Sequence, residues 1–186
     1  MPATGFVLPS IATVEAGSGT WTNQDNIKLD DGVEATFSLA VKNTSGRWVA
    51  GTSFGFDGII PSGATIDVVE IRMEYRVNTT GGIANPEMQS FVSGVGVGAV
   101  RAGSPLEPTT LTLNTFDVTA DRAWVRADLL NANFALKIRG RNGNSATDPS
   151  YRWDYIAAQV TYTEAAPPEL PLVVVAPHMP QENPPL

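Results

Sequence analysis

Val69-Glu70-Ile71-Arg72-Met73-Glu74-Tyr75-Arg76-Val77 alternates without a break: Val69, Ile71, Met73, Tyr75 and Val77 fall on one side, Glu70, Arg72, Glu74 and Arg76 on the other. A period of two with one apolar and one charged side describes an antiparallel strand whose one face is buried and whose other face meets water. Immediately before it, Ala64, Ile66 and Val68 alternate in the opposite phase. One extra residue between Val68 and Val69, a β-bulge, reconciles the two runs.

The same period recurs outward from this stretch. Ala35, Phe37, Leu39 and Val41 form one apolar row. Phe134, Leu136 and Ile138 form a second, facing away from Lys137 and Arg139, and Ile156, Ala158, Val160 and Tyr162 a third. Val95, Val97 and Ala99 alternate with glycines, and Leu111 and Leu113 with threonines. Turn residues separate the rows at Asn78–Gly82, Gly103–Pro108 and Asn142–Ser150. Val125–Asn131 is the one helical candidate, and no βα alternation is present, which argues against a parallel-sheet enzyme. Seven or eight antiparallel strands predict an all-β fold, an antiparallel β-sandwich of jelly-roll type.

Three zones divide the 186 residues. Residues 1–16 are small, apolar and unpatterned, and read as an extended N-terminal arm. Residues 17–163 hold all four tryptophans and every clean row, and form the sandwich domain. Residues 164–186 hold seven of the 14 prolines. Such a segment reads as an extended, polyproline-like C-terminal arm, with Val173, Val174 and Val175 the length of one small edge strand.

Composition removes several function classes. Twelve Lys and Arg stand against 19 Asp and Glu, a net charge of −7, which argues against nucleic acid as a partner. Without cysteine there is no thiolate nucleophile, disulfide or Cys-ligated metal. No basic-then-apolar leader opens the chain, and apolar runs stop at five or six residues, so neither a signal peptide nor a membrane span is expected.

The residues able to carry chemistry are few. The single histidine, His178, lies between Pro177 and Met179, where nothing holds it against a nucleophile. Asp30 with Asp31, Asp67 with Glu70, and Asp121 with Asp128 are the carboxylate pairs a glycosidase could use, but solvated turns and strand faces are the commoner account of such carboxylates. Asp30-Asp31-Gly32, with Asp25 and Asn26 upstream, lacks EF-hand spacing and reads as Asx turns before a strand. Gly94-Val95-Gly96-Val97-Gly98 has no helix after it, so it is a strand with a flat glycine side instead of a phosphate loop. No enzyme activity, cofactor or metal is expected. Trp21 and Trp124 are read as core anchors, and Trp48, which follows the polar turn Asn43–Arg47, stays open between anchor and sugar platform.

A wider pattern joins these pieces. It runs Trp21-Thr-Asn-Gln-Asp-Asn26, Asp30-Asp31-Gly32-Val-Glu-Ala35-Thr, Phe54-Gly55-Phe56 and Ile60-Pro61-Ser62-Gly63-Ala64-Thr65-Ile66 into the alternating strand. It continues through Trp124, Leu129-Leu130 and Phe134 to Trp153-Asp154-Tyr155-Ile156 and Val160-Thr161-Tyr162. This resembles a family of tailed-bacteriophage virion proteins, small jelly-roll-like β-sandwich modules, over about three-quarters of the chain. The resemblance implies a structural virion protein, made in the bacterial host cytoplasm and then placed on the capsid surface, and supplies no catalytic residues. The expectation is a capsid decoration or cement protein, a homotrimer whose partners are the major capsid protein and copies of itself. Its terminal arms would grip neighbours, with Leu170, Leu172, Val173, Val174, Val175 and Leu186 as apolar anchors. The alternative is a tail- or fibre-associated receptor-binding module that recognises glycans through Trp48 and Tyr151.

Overall fold

The computed structural model describes residues 1–78, 84–143 and 148–166. Among them are eleven strands: β1 (Ile11–Val14), β2 (Thr20–Thr22), β3 (Ala35–Ser38), β4 (Thr44–Ser45), β5 (Val49–Thr52), β6 (Thr65–Val77), β7 (Ala84–Val92), β8 (Val95–Ala102), β9 (Thr112–Asp117), β10 (Phe134–Asn142) and β11 (Ser150–Thr163). They form two antiparallel sheets. One runs β1-β5-β10-β7-β8, with β4 pairing the end of β10; the other runs β2-β3-β11-β6-β9. The fold is the expected β-sandwich of jelly-roll type.

The alternating stretch is β6, and its apolar row faces inward: Val69, Ile71, Met73, Tyr75 and Val77 are fully buried. The bulge lies at Asp67, slightly earlier than expected, because Val68 pairs with Thr161 while Ile66 pairs with Tyr162. Val125–Asn131 contributes a single 3-10 turn at Arg126–Leu129. Two aromatic groups fill the ends of the interior. Trp21 packs on Phe37 and Trp153 at centroid distances of 4.9 and 5.1 Å, with Tyr151 stacked on Trp153 at 5.8 Å. Around Phe134, at the far end of β10, gather Phe54, Phe56 and Trp124. Each ring removes about 150–250 Å² from water, so these groups dominate the hydrophobic stabilisation. Gly46 and Gly140 make room for two of them, since a methyl group at either position would overlap the ring of Phe37 or Tyr151.

Trp21 and Trp124 are buried anchors whose indole N–H groups donate to the carbonyls of Arg47 (3.2 Å) and Val118 (2.9 Å). Other expectations need correction. Leu113 is exposed, and Asn114 and Phe116 take the inner side of β9, the reverse of the expected phase. Val41 and Val95 are also exposed. Strand β7 is central despite Pro86 within it. The proline sits opposite Gly140, and the strand bulges further along its pairing with β8.

Residues 1–16 are extended but lie on their own body. Ala3 and Val7 bridge Thr161 and Ala158, filling the place beside β11 that the short β3 leaves open, and β1 then crosses to pair with β5. That pairing satisfies the backbone groups an outward-reaching arm would have offered to a neighbour. Leu170, Leu172, Val173, Val174, Val175, His178 and Leu186 lie outside the described residues, as do parts of the Asn78–Gly82 and Asn142–Ser150 turns.

Candidate functional site

Each sheet turns one face to solvent, and the two faces differ in chemistry. On β10, Phe134, Leu136 and Ile138 point into the core, which sends Lys137, Arg139 and Arg141 outward. On β7, buried Met88 and Val92 send Glu87, Gln89 and Phe91 to the same outer side. Trp48 stands immediately before β5, beside the inward Val49. Register makes these positions neighbours: Lys137 is opposite both Ala50 and Gln89, and Arg139 is opposite Glu87.

The result is an aromatic and charged surface on the six-stranded sheet. The Trp48 and Phe91 rings meet edge-on with centroids 5.8 Å apart, and both are half-buried. Arg139 lays its guanidinium 4.1 Å from the Trp48 ring centre and donates through Nε to Glu87 Oε2 at 2.7 Å. Lys137 places its ammonium 3.9 Å from the Phe91 ring centre and pairs with Glu15. Each cation is therefore fixed by a ring and a carboxylate at once.

On the five-stranded sheet the outer face closes its charges on one another. Glu34 accepts from Arg76 through both oxygens and from Arg152 at 3.2 Å. The Arg76 hydrogen bond holds its carboxyl below the usual range. Nearby, Asp30, Glu74 and Asp154 bring a carboxylate oxygen each to within 4.8 Å of one another. Burial pushes both the Glu74 and Asp154 carboxyls up, and Glu74 hydrogen-bonds to Asp154. Asp154 also accepts the Gly32 N–H at 3.0 Å, tying the 30–32 turn to β11. An open cleft of about 350 Å³ lies on this side, bounded by Gly32, Glu34, Arg76, Thr109, Thr110 and Leu111. No aromatic ring bounds it, and its charged groups already hold each other.

The structure separates the residues that sequence reading had grouped. Tyr151 is fully buried, its hydroxyl donating to the Arg141 carbonyl at 2.6 Å, so it offers no surface for a sugar and cannot join Trp48 in a glycan site. The ring that stands beside Trp48 is Phe91, which the sequence hides because Pro86 disguises β7. Of the carboxylate pairs, Asp121 is held by Arg101, Asp128 by Arg122, and Asp67 accepts the Thr163 hydroxyl at 2.8 Å. Within the aspartate-rich turn, Asp25 pairs with Lys28 and Asp31 caps the Val33 N–H, leaving Asp30 alone to meet Glu74 and Asp154. The glycine run is explained by the hairpin: Ser93 and Gly94 both have positive φ, as a two-residue turn between β7 and β8 requires, and Gly98 lies against Asp121.

The architecture places the chain among β-sandwich domains of jelly-roll type. The chain matches no protein-family model and no curated protein. Among solved structures it is similar to a protein described as "SGBP-B from a complex xyloglucan utilization locus in Bacteroides uniformis". There the identity is 13% and the TM-score 0.52, over 82% of this chain and 49% of that one. It is also similar to a protein described as "CBM4 structure and function", with 12% identity, TM-score 0.46, and 84% and 95% of the two chains covered. A third is the CBM22-1 xylan-binding domain of Paenibacillus barcinonensis Xyn10C, with 9% identity, TM-score 0.43, and 80% and 85% covered. At these identities the likeness is one of fold. Nothing in it indicates a phage virion family.

Proposed function

We propose that the chain is a non-catalytic glycan-binding module whose ligand lies across the outer face of the six-stranded sheet. The observation that carries this reading is the pair of half-buried rings, Trp48 and Phe91, set among hydrogen-bonding side chains on a continuous sheet surface. A sugar has apolar C–H faces and a rim of hydroxyls. Aromatic rings receive the first, while Gln89, Glu87 and Arg139 are placed to bond the second. The five-stranded face presents one half-buried ring, Phe6, with the Arg72 guanidinium already over it at 3.5 Å, and no pair of half-buried rings among the described residues. The fold shared with SGBP-B from a xyloglucan utilization locus supports this reading only as a scaffold able to present a sheet face.

Binding of the native chain to a panel of soluble polysaccharides, measured by affinity electrophoresis, tests the proposal. Trp48→Ala should weaken retention at least about tenfold while leaving the fold intact. Retention of no polysaccharide, or unchanged retention by Trp48→Ala, would overturn it. The second reading, a capsid decoration protein docking on the major capsid protein as a trimer, rests on the sequence resemblance. Pairing of Ala3, Val7 and β1 with their own body favours the first reading. A glycan-binding module carried on a tail or fibre keeps both the resemblance and the aromatic face.

A further inference from the structure

Nine of the twelve Lys and Arg side chains make an ion pair, a hydrogen bond or a ring contact among the described residues. The exceptions are Lys42, Arg47 and Arg141. In a chain of net charge −7, unengaged cations should find carboxylates easily, yet these three cluster in one place. Lys42 and Arg47 flank β4, and β4 pairs with the end of β10 through Arg141 opposite Ser45, next to a Gly46 N–H to Gly140 carbonyl bond of 2.8 Å. Arg141 is exposed, and one Arg47 nitrogen, Nε, is buried without a partner.

The cluster borders the aromatic face. Arg47 adjoins Trp48 in the chain. Arg141 follows Arg139 on the outward row of β10, about 7 Å further along the strand. Lys137, Arg139 and Arg141 thus form a line of cations leading past the two rings, the first two engaged and the third open. A neutral sugar could accept hydrogen bonds from that open end but would leave its charge unpaired. A polymer with carboxylates at regular intervals could lay its rings on Trp48 and Phe91 while a carboxylate meets the Arg141 guanidinium, a match of planar fork to planar acceptor.

We infer that the glycan bound by this face is acidic, a uronate-bearing polysaccharide, with Arg141, Arg47 and Lys42 receiving its carboxylates. This rests on the glycan-binding reading above and names the chemical class of its ligand. The test uses the full chain with polygalacturonate, alginate and hyaluronan, the methyl ester of polygalacturonate, neutral xylan, and single-stranded DNA. At least one polyuronate should bind at 50 mM NaCl. Its binding should weaken about fivefold or more by 0.5 M NaCl, where the screening length falls to about 4 Å. For polygalacturonate, methyl esterification should cost a similar factor. Arg141→Gln and Arg47→Gln should each weaken polyuronate binding roughly threefold, the scale of a single exposed charge pair.

Salt-independent binding of xylan that equals polyuronate binding and is lost in Trp48→Ala would overturn the acidic assignment and leave the glycan reading standing. Binding of none of the polysaccharides would overturn both. Single-stranded DNA bound as tightly as the best polyuronate would show that charge alone is read, and would overturn the assignment to uronate.

Discussion

The two outer faces are built by the same rule. An inward apolar row on a central strand sends every second residue to solvent, on β6 as on β10. Their side chains are then engaged to different degrees. On the five-stranded face, charges find each other: Glu34 holds Arg76 and Arg152, and Glu74 bonds to Asp154. On the six-stranded face cations also lie on rings, as Arg72 lies on Phe6 on the other, but here two rings stand together and the row ends in Arg141, which has no partner among the described residues. A face that satisfies its own groups has little left for a ligand. A face with half-covered rings and an open cation retains capacity to bind, so the difference lies in what the neighbouring strands supply across each outward residue.

Glu34→Ala attacks the self-satisfied side and carries the largest expected effect. Its carboxylate is mostly buried and serves two guanidinium groups, so its removal leaves both without their acceptor. A loss of about 2 kcal/mol in unfolding free energy is expected from denaturant titration, with glycan binding unchanged. A comparable loss of glycan binding in this variant would mean that the ligand lies on the five-stranded side, over the cleft that Glu34 borders.

Trp48→Ala makes the reciprocal change. It removes a half-buried ring from the other face, so the binding loss, roughly 1.5 kcal/mol, should exceed the stability loss. Calorimetric titration and thermal unfolding of one preparation give both numbers. A variant that loses more stability than binding would make Trp48 a packing residue, shielding Arg139 and Phe91 instead of receiving a ligand.

Legibility in the sequence followed how much each strand's own alternation decided its position. Strands β6, β10 and β11 could be read because each carries a long apolar stretch of its inner row, Val69–Val77, Phe134–Ile138 and Ile156–Tyr162, between its irregularities. The inner side of β7 carries Pro86 and Ser90, and both weaken the period-two signal that its central position would otherwise give. With β7 unseen, Phe91 had no face, and half of the aromatic pair was hidden. Strand β9 is an edge strand whose exposed Leu113 mimics a core residue, so the apolar side was read as the buried one. Tyr151 fails as a surface residue for a tertiary reason: Gly140, on the facing sheet, opens the space that its ring fills. Nothing local to Tyr151 reports that glycine.

Glu74→Gln probes the finest part of the comparison, whether the five-stranded face is satisfied at every pH. Burial raises the Glu74 and Asp154 carboxyls, so protonation favours the folded state. That contribution is complete below the ordinary carboxylate range and is lost as pH rises through the raised folded values. Glutamine keeps a donor for Asp154 but removes the titration and one negative charge beside Asp30. The variant should therefore match the native chain near pH 4 and exceed it near pH 7, by up to about 1 kcal/mol, the scale of a like-charge contact across neighbouring strands. Glu34 supplies the internal control with the opposite sign. Arg76 lowers its carboxyl, so its contribution is present at neutral pH and lost as pH falls. Thermal unfolding of the native chain, Glu74→Gln and Glu34→Ala from pH 4 to 8 separates the two. A Glu74→Gln variant less stable than the native chain at pH 7 would mean that the ionised trio is stabilised by something the face itself does not contain, and the contrast between a closed face and an open one would fail.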